Sequence, residues 1–199
     1  MRRLSDYQAI IVDMDGTLYY QKPVRRAMLR EMLLHFWRLQ EFLIVYRYRK
    51  LYERGLKEKE RLEQLPEHAP VVILEWMIRR PLPYVFRHRD TTLIALLQRA
   101  EAAGTKVIVY SDYSVTEKLK AMQYHPSVAF CAEDTGCLKP DASGLISILL
   151  TLDIMPEQCL VIGDRWEKDG IMAAQMGADC LILQPQPKER MHFYMRLEV

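Results

Sequence analysis

The chain of 199 residues lacks the features that would place it in a membrane or outside the cell. Arg2 and Arg3 are not followed by an apolar run, so no secretory leader is expected, and the cytoplasm is the expected compartment. The most apolar stretch, residues 33–48, is interrupted by His35, Arg38, Glu41 and Arg47. Those breaks come well before the ~20 apolar residues that a span requires, so neither a transmembrane helix nor a membrane partner is expected. The four cysteines, Cys131, Cys137, Cys159 and Cys180, contain no C-x-x-C pair and have no histidine at zinc-ligand spacing. A zinc ribbon is thereby excluded, and the thiols read as reduced packing residues. There is no internal repeat and no low-complexity tract. A net charge of +2 gives no field of one sign over the whole chain.

What is present is an ordinary globular composition, half hydrophobic and about a quarter charged, with enough apolar material for a core. Residues 7–12 form an apolar run, β-branched at its end, which predicts a strand buried on both faces. Residues 106–110, 128–131, 160–162 and 180–183 read as further strands. Residues 91–103, 115–123, 142–152 and 168–176 read as helices between and beside them. Such alternation predicts an α/β fold with a mainly parallel sheet and helices on both faces. Between the first strand and this regular part, residues 20–88 read as one helical insertion. It should begin with a helix from Val24 to about Arg54, so apolar that partner helices or a second subunit must cover it. Segments 56–64 and 71–79 should continue it as helices. The tail, residues 185–199, carries Met191, Phe193, Tyr194, Met195 and Leu197, and should dock rather than float free.

Four strand ends carry polar groups suited to phosphate or metal. The first is Asp13-Met14-Asp15-Gly16-Thr17. Ligands of open α/β sheets bind outside the carboxyl ends of the strands, where this motif lies. Two carboxylates two residues apart repel unless a cation lies between them or one takes a proton. The pair therefore implies a metal ion, a proton donor, or both. The second strand end carries Ser111-Asp112, the loop after the third carries Lys139-Pro140, and the fourth carries Gly163-Asp164 with Asp169 beyond it. Taken singly, each has a plainer reading as a turn, a helix cap or a solvated loop residue. The plainer readings do not explain all four in this order.

That series resembles the four motifs of the haloacid dehalogenase-like hydrolase superfamily. It is closest to the phosphatase branch with a helical, C1-type cap. The resemblance implies a Rossmann-like three-layer core made of residues 1–19 and 89–199, with residues 20–88 as the cap. Asp13 would be the nucleophile that forms an aspartyl phosphate, and Asp15 the group that protonates the leaving oxygen and then activates water. Thr17, Ser111, the backbone N–H of Asp112, and Lys139 would bind the phosphoryl group. Mg²⁺ would be held by Asp13, Asp164 and the backbone carbonyl of Asp15, with Asp169 positioning its waters or Lys139. Dehalogenases lack an acid at the position of Asp15, which favours phosphate chemistry. Asp112 departs from the common Asn, and Arg165 from the common small residue; Arg165 either touches substrate phosphate or forms a surface ion pair.

The reaction implied is hydrolysis of a small phosphomonoester. Transfer to a sugar hydroxyl by a phosphomutase or phosphotransferase uses the same residues. A weakly catalytic binding protein that uses a basic cap is the alternative of another class. Residues 20–90 hold sixteen Lys and Arg against nine Asp and Glu, a balance of +7 that leaves −5 for the rest. Such a cap would attract an anionic substrate, although solvated helix faces explain many of the charges equally well. Nucleic acid is not an expected partner, because no module interleaves exposed aromatics with basic residues. A homodimer through the apolar first cap helix is expected as the alternative to cover by the chain's own helices.

Overall fold

The computed structural model describes residues 3–55 and 57–195, so Arg2, Leu56 and Leu197 of the expectations above lie outside the described residues. Five strands, β1 (Ala9–Val12), β2 (Lys106–Ser111), β3 (Val128–Cys131), β4 (Cys159–Gly163) and β5 (Asp179–Ile182), form one sheet in the order β3-β2-β1-β4-β5. All pairings are parallel, with Val12 opposite Val109 on one side and Ile162 on the other. β1 is central because it is buried on both faces, as its unbroken apolar run requires. From β1 the chain fills one side of the sheet with β2 and β3, then crosses to the other side with β4. The strand order therefore reverses at β1 and β4, and their carboxyl ends flank the crevice where such sheets bind ligands.

Among the described residues, the segment between β1 and residue 88 holds five α-helices: α1 (Gln21–Leu34), α2 (Leu39–Glu53), α3 (Glu58–Glu63), α4 (Ala69–Ile73) and α5 (Leu82–Arg87). After them, α6 (Thr91–Ala102), α7 (Thr116–Met122), α8 (Ala132–Thr135), α9 (Ser143–Thr151), α10 (Ile171–Met176) and α11 (Pro187–Tyr194) accompany the strands. The alternation of side chains along each strand divides the core in two. Ile10, Val12, Val107, Val109, Leu160 and Ile162 pack with α6 and α7 on one face. Ile11, Ile108, Tyr110 and Val161 pack with α9 and α10 on the other, which makes the three-layer α/β arrangement.

Among the boundaries that differ from the sequence reading, three have a visible local cause or change of geometry. β1 begins at Ala9 rather than Tyr7, because residues 4–6 make a 3-10 turn that ends on Tyr7, whose hydroxyl donates to Asp179 at 2.7 Å. The first insertion helix breaks at His35 (φ −118, ψ 39) and resumes after a 3-10 turn, Phe36–Arg38. His35 Nδ1 lies 2.8 Å from the Glu31 carbonyl, and its ring meets Trp37 and Trp76, so side-chain contacts take over from the helical ladder there. The helix expected over residues 71–79 begins at Ala69 and widens to π geometry over Leu74–Arg79. No helix of the described residues is long and apolar enough to cross a membrane.

The insertion has a small apolar centre of its own, in which Ile44, Ala69, Val72 and Trp76 are buried. It joins the sheet domain through two adjacent passages. Asp90 N–H donates to the Leu18 carbonyl at 2.8 Å, and Tyr20 N–H donates to the His88 carbonyl at 2.9 Å. Asp90 also caps α6 by accepting from Leu93 N–H at 3.1 Å.

Candidate active site

Asp13 leaves the end of β1 and is buried, with its backbone N–H bonded to the Ile162 carbonyl at 2.9 Å. One carboxylate oxygen accepts from Lys139 Nζ at 2.6 Å, the other from Thr17 Oγ1 at 3.1 Å. Lys139 Nζ also donates to Asp169 at 2.8 Å, so a buried ammonium bridges two buried carboxylates. Burial pushes the Asp13 carboxyl up to about 7 although Lys139 draws it down, and Asp169 adds to the rise. Burial opposes the charge on Lys139 too, but Asp13 and Asp169 together hold its ammonium above the usual lysine range.

Carboxylate oxygens of Asp13, Asp164 and Asp169 lie within 4.8 Å of one another. Burial raises the Asp164 carboxyl against the pull of Arg165. Its Oδ1 is a buried oxygen with no hydrogen-bond partner among the described residues. Gly16 closes over it with φ +108, and a Cβ there would fall 2.0 Å from Asp164 Oδ2. Only glycine tolerates both that backbone angle and that approach. The set is all oxygen and carries more negative charge than Lys139 alone offsets, which fits a hard divalent cation such as Mg²⁺.

The Asp15 carboxylate is not in this cluster. It accepts from Lys118 Nζ at 2.5 Å and from the Tyr19 hydroxyl, and it lines a cavity of about 640 Å³. Burial raises its carboxyl, but the ammonium of Lys118 and the bond from Tyr19 outweigh burial and hold it below the usual range. The sheet domain contributes Tyr113, Ser114 and Lys118 to the cavity wall. The insertion contributes Val24, Arg25, Met28, Val45 and Arg49.

Ser111 ends β2 and Asp112 follows it, both buried. Ser111 Oγ accepts from Tyr113 N–H at 3.4 Å, and the Asp112 carboxylate accepts from Lys139 N–H at 2.9 Å and from Lys168. Asp112 therefore uses its side chain to hold the Lys139 loop, a task the sequence reading did not assign to it. Thr17 is fully buried, and its hydroxyl donates to Asp13. Arg165 forms a loose pair with Asp164 at 3.7 Å, with no described contact towards the cavity.

Lys118, Tyr19 and Arg190 were not anticipated. Lys118 stands in an amphipathic helix beside Lys120 and Glu117, so nothing in its local pattern separates it from a solvated residue. Arg190, on α11, is fully buried and donates to the carbonyls of Gly16, Thr17 (2.9 Å) and Gln184 (2.6 Å). It also reaches the Asp90 carboxylate at 3.2 Å, where the Tyr194 hydroxyl donates at 2.8 Å. The tail thus docks, as expected, but through Arg190 and Tyr194 rather than Met191 and Met195, which are exposed. Its guanidinium ties the loop after Asp15 to the return passage at Asp90.

The chain belongs to the haloacid dehalogenase-like hydrolase family, whose model matches residues 7–177. Solved structures agree on the fold. The HAD hydrolase YfnB of Bacillus subtilis, crystallised with magnesium, aligns at TM-score 0.63 and 14% identity over 100% of both chains. A 2-haloacid dehalogenase of Pseudomonas syringae pv. Tomato DC3000 gives 0.59 and 19% over 91% of this chain and 88% of that one. A HAD family hydrolase of Deinococcus radiodurans R1 with bound phosphate and sodium gives 0.57 and 17% over 98% and 92%. No curated protein matches the chain significantly.

Proposed function

We propose that the chain is a Mg²⁺-dependent phosphatase that hydrolyses a small phosphomonoester through an aspartyl phosphate on Asp13. The observation that carries this reading is Asp15. A second carboxylate, two residues after the candidate nucleophile, faces the cavity instead of joining the metal-type cluster. A dehalogenase has no use for a proton donor there, whereas a departing alkoxide needs one. The magnesium in one structural relative and the phosphate in another support the reading by analogy of fold.

In this mechanism Asp13, Asp164 and the Asp15 carbonyl would hold Mg²⁺, while Asp169 accepts from Lys139 and so orients it. Bound there, Mg²⁺ supplies positive charge between an anionic nucleophile and an anionic phosphoryl group. Lys139 lies on one oxygen of Asp13 and Thr17 on the other, so the carboxylate enters the reaction with its orientation set. Its added negative charge on phosphoryl transfer would be shared by Lys139, Ser111 and the N–H of Asp112. Asp15 is held ionised by Lys118, the form that accepts a proton from water. A phosphate dianion arriving beside Asp15 raises its affinity for the proton that the leaving oxygen requires. The cavity of about 640 Å³ is within the usual range for organic ligands, so it has room for a leaving group well beyond the phosphoryl itself.

The test is a panel of phosphomonoesters, with 2-haloacids as a control, assayed with Mg²⁺ and with chelator. Phosphate release that requires Mg²⁺ is the expected result. Halide release, or phosphoryl transfer to an added sugar in preference to water, would replace this reading.

A further inference from the structure

The α1–α2 junction leaves unusual residues in solvent. Leu29, Leu33, Leu34, Phe36, Trp37, Leu39, Leu43 and Tyr46 are all more than half exposed, with Phe36 at 72% and Trp37 at 67%. The sequence reading expects this helix to be covered, and the fold covers only its other side. Val24 and Met28 on α1, with Val45, Tyr48 and Tyr52 on α2, face the cavity, so the exposed residues lie on the faces turned away from it. Scattered surface leucines are common, but eight large apolar side chains within eighteen residues mark an interaction surface.

The charges beside that surface identify its occupant. On α1, Arg26, Leu29, Arg30 and Leu33 follow the spacing of one helical stripe, and on α2 so do Leu39, Leu43, Arg47 and Lys50. The apolar members cluster at the junction, and the cations stand in the turns further out on either side. All four cations are exposed, and none pairs with a carboxylate among the described residues. Two acids on the same helices are engaged elsewhere, Glu31 with Arg80 and Tyr84, Glu41 with Arg38 and Trp76. A second copy docked isologously would bring equal apolar patches together, but would also crowd the same four cations against their counterparts. An anionic bilayer satisfies both features, because leucines and aromatics enter the headgroup boundary while arginine and lysine meet lipid phosphates. Trp and Phe at the centre are the residues enriched at such boundaries.

We propose that the exposed face of the α1–α2 junction docks the protein peripherally on an anionic lipid surface. The enzyme would then work at a membrane without spanning it. The sequence reading expects no membrane partner; what points the other way is the face that folding leaves uncovered. The inference concerns where the chain works, and stands apart from the chemistry at Asp13.

The experiment uses the full chain with phosphatidylcholine vesicles, with and without phosphatidylglycerol. Trp166→Phe serves as the background, so that Trp37 is the exposed indole. Sedimentation with the phosphatidylglycerol vesicles and a blue shift of Trp37 emission are expected. Arg26→Glu/Arg30→Glu, or salt near 1 M, where screening acts within about 3 Å, should weaken binding at least tenfold. Leu33→Glu/Trp37→Glu should do the same while leaving the melting temperature and the turnover of a soluble phosphoester unchanged. Absence of vesicle binding overturns the proposal, as does binding that Leu33→Glu/Trp37→Glu leaves intact. A concentration-dependent dimer abolished by the same pair of changes, without vesicle binding, would assign the face to self-association instead.

Discussion

The carboxyl edge of the sheet and the helical insertion are built to opposite standards. At the sheet edge most groups of the site are fixed by a neighbour, Asp164 being the exception. Asp13 is held by Lys139 and Thr17, Asp112 by the Lys139 loop, and the Gly16–Thr17 carbonyls by Arg190. The insertion has four buried residues at its centre, a cavity of about 640 Å³ along one side, and a row of exposed apolar residues along the other. A reaction that moves a phosphoryl group needs preorganised charges, which only a close-packed frame can supply. Selecting a leaving group needs space and surface, which a loosely packed helical layer offers. On the proposed reading, chemistry and selection are therefore carried by different parts of one chain.

The largest expected effect breaks the site alone. Asp13→Asn should lower phosphate release on the order of 10⁴-fold or more, while leaving the protein folded. The same variant tests the electrostatics in chelator. The folded Asp13 carboxyl is raised from 3.8 to about 7, so the folded state keeps a proton that the unfolded chain releases. On that group's account, stability is highest below about pH 4 and is lost as pH rises to about 7. Chemical denaturation across that window should give a less negative slope for Asp13→Asn than for the parent. An unchanged slope would mean that another group carries the pH dependence.

A smaller effect is expected where the two regions meet. Asp15→Asn should reduce kcat by roughly 10²- to 10⁴-fold for alkyl phosphates, and by less for an aryl phosphate whose leaving group needs no proton. Lys118→Met removes the charge that holds the Asp15 carboxyl down, so the pH profile of kcat/KM should move to higher pH. A profile that stays in place would separate Asp15 from the proton transfer. The mildest change sharpens the role of the insertion. Met28→Trp fills the cavity, and should raise KM about tenfold for bulky phosphoesters while sparing acetyl phosphate. Equal losses on both would tie the cavity to the frame of the site rather than to selection.

Much of the fold was legible, because short apolar runs, too brief for helices, alternate with segments of helical periodicity. All five strands fall within about two residues of the apolar runs that predict them. The helix break at His35 was not legible. The His35 ring there packs edge-on against Trp76, which is remote in sequence, donates to Glu41 at 2.6 Å and meets Phe42 edge-on. Helix periodicity carries no information about such a partner. The four strand-end motifs were legible as a set because a phosphoryl site needs particular groups at particular strand ends. Lys118 and Arg190 were not, since each owes its role to a carboxylate or carbonyl more than a hundred residues away in sequence.

By itself, then, the sequence determined the alternation of strands and helices and which polar groups end the strands, because both follow from local periodicity and spacing. Tertiary structure decided which oxygen each of those groups receives. It turned Asp15 towards Lys118 and the cavity, left Asp164 Oδ1 without a hydrogen bond beside Asp13, and placed a tail guanidinium under the nucleophile loop. It also decided which face of the first two helices meets the cavity and which meets solvent. Directions and distances between groups remote in sequence arise only when the chain packs, and the charge states of buried groups depend on them.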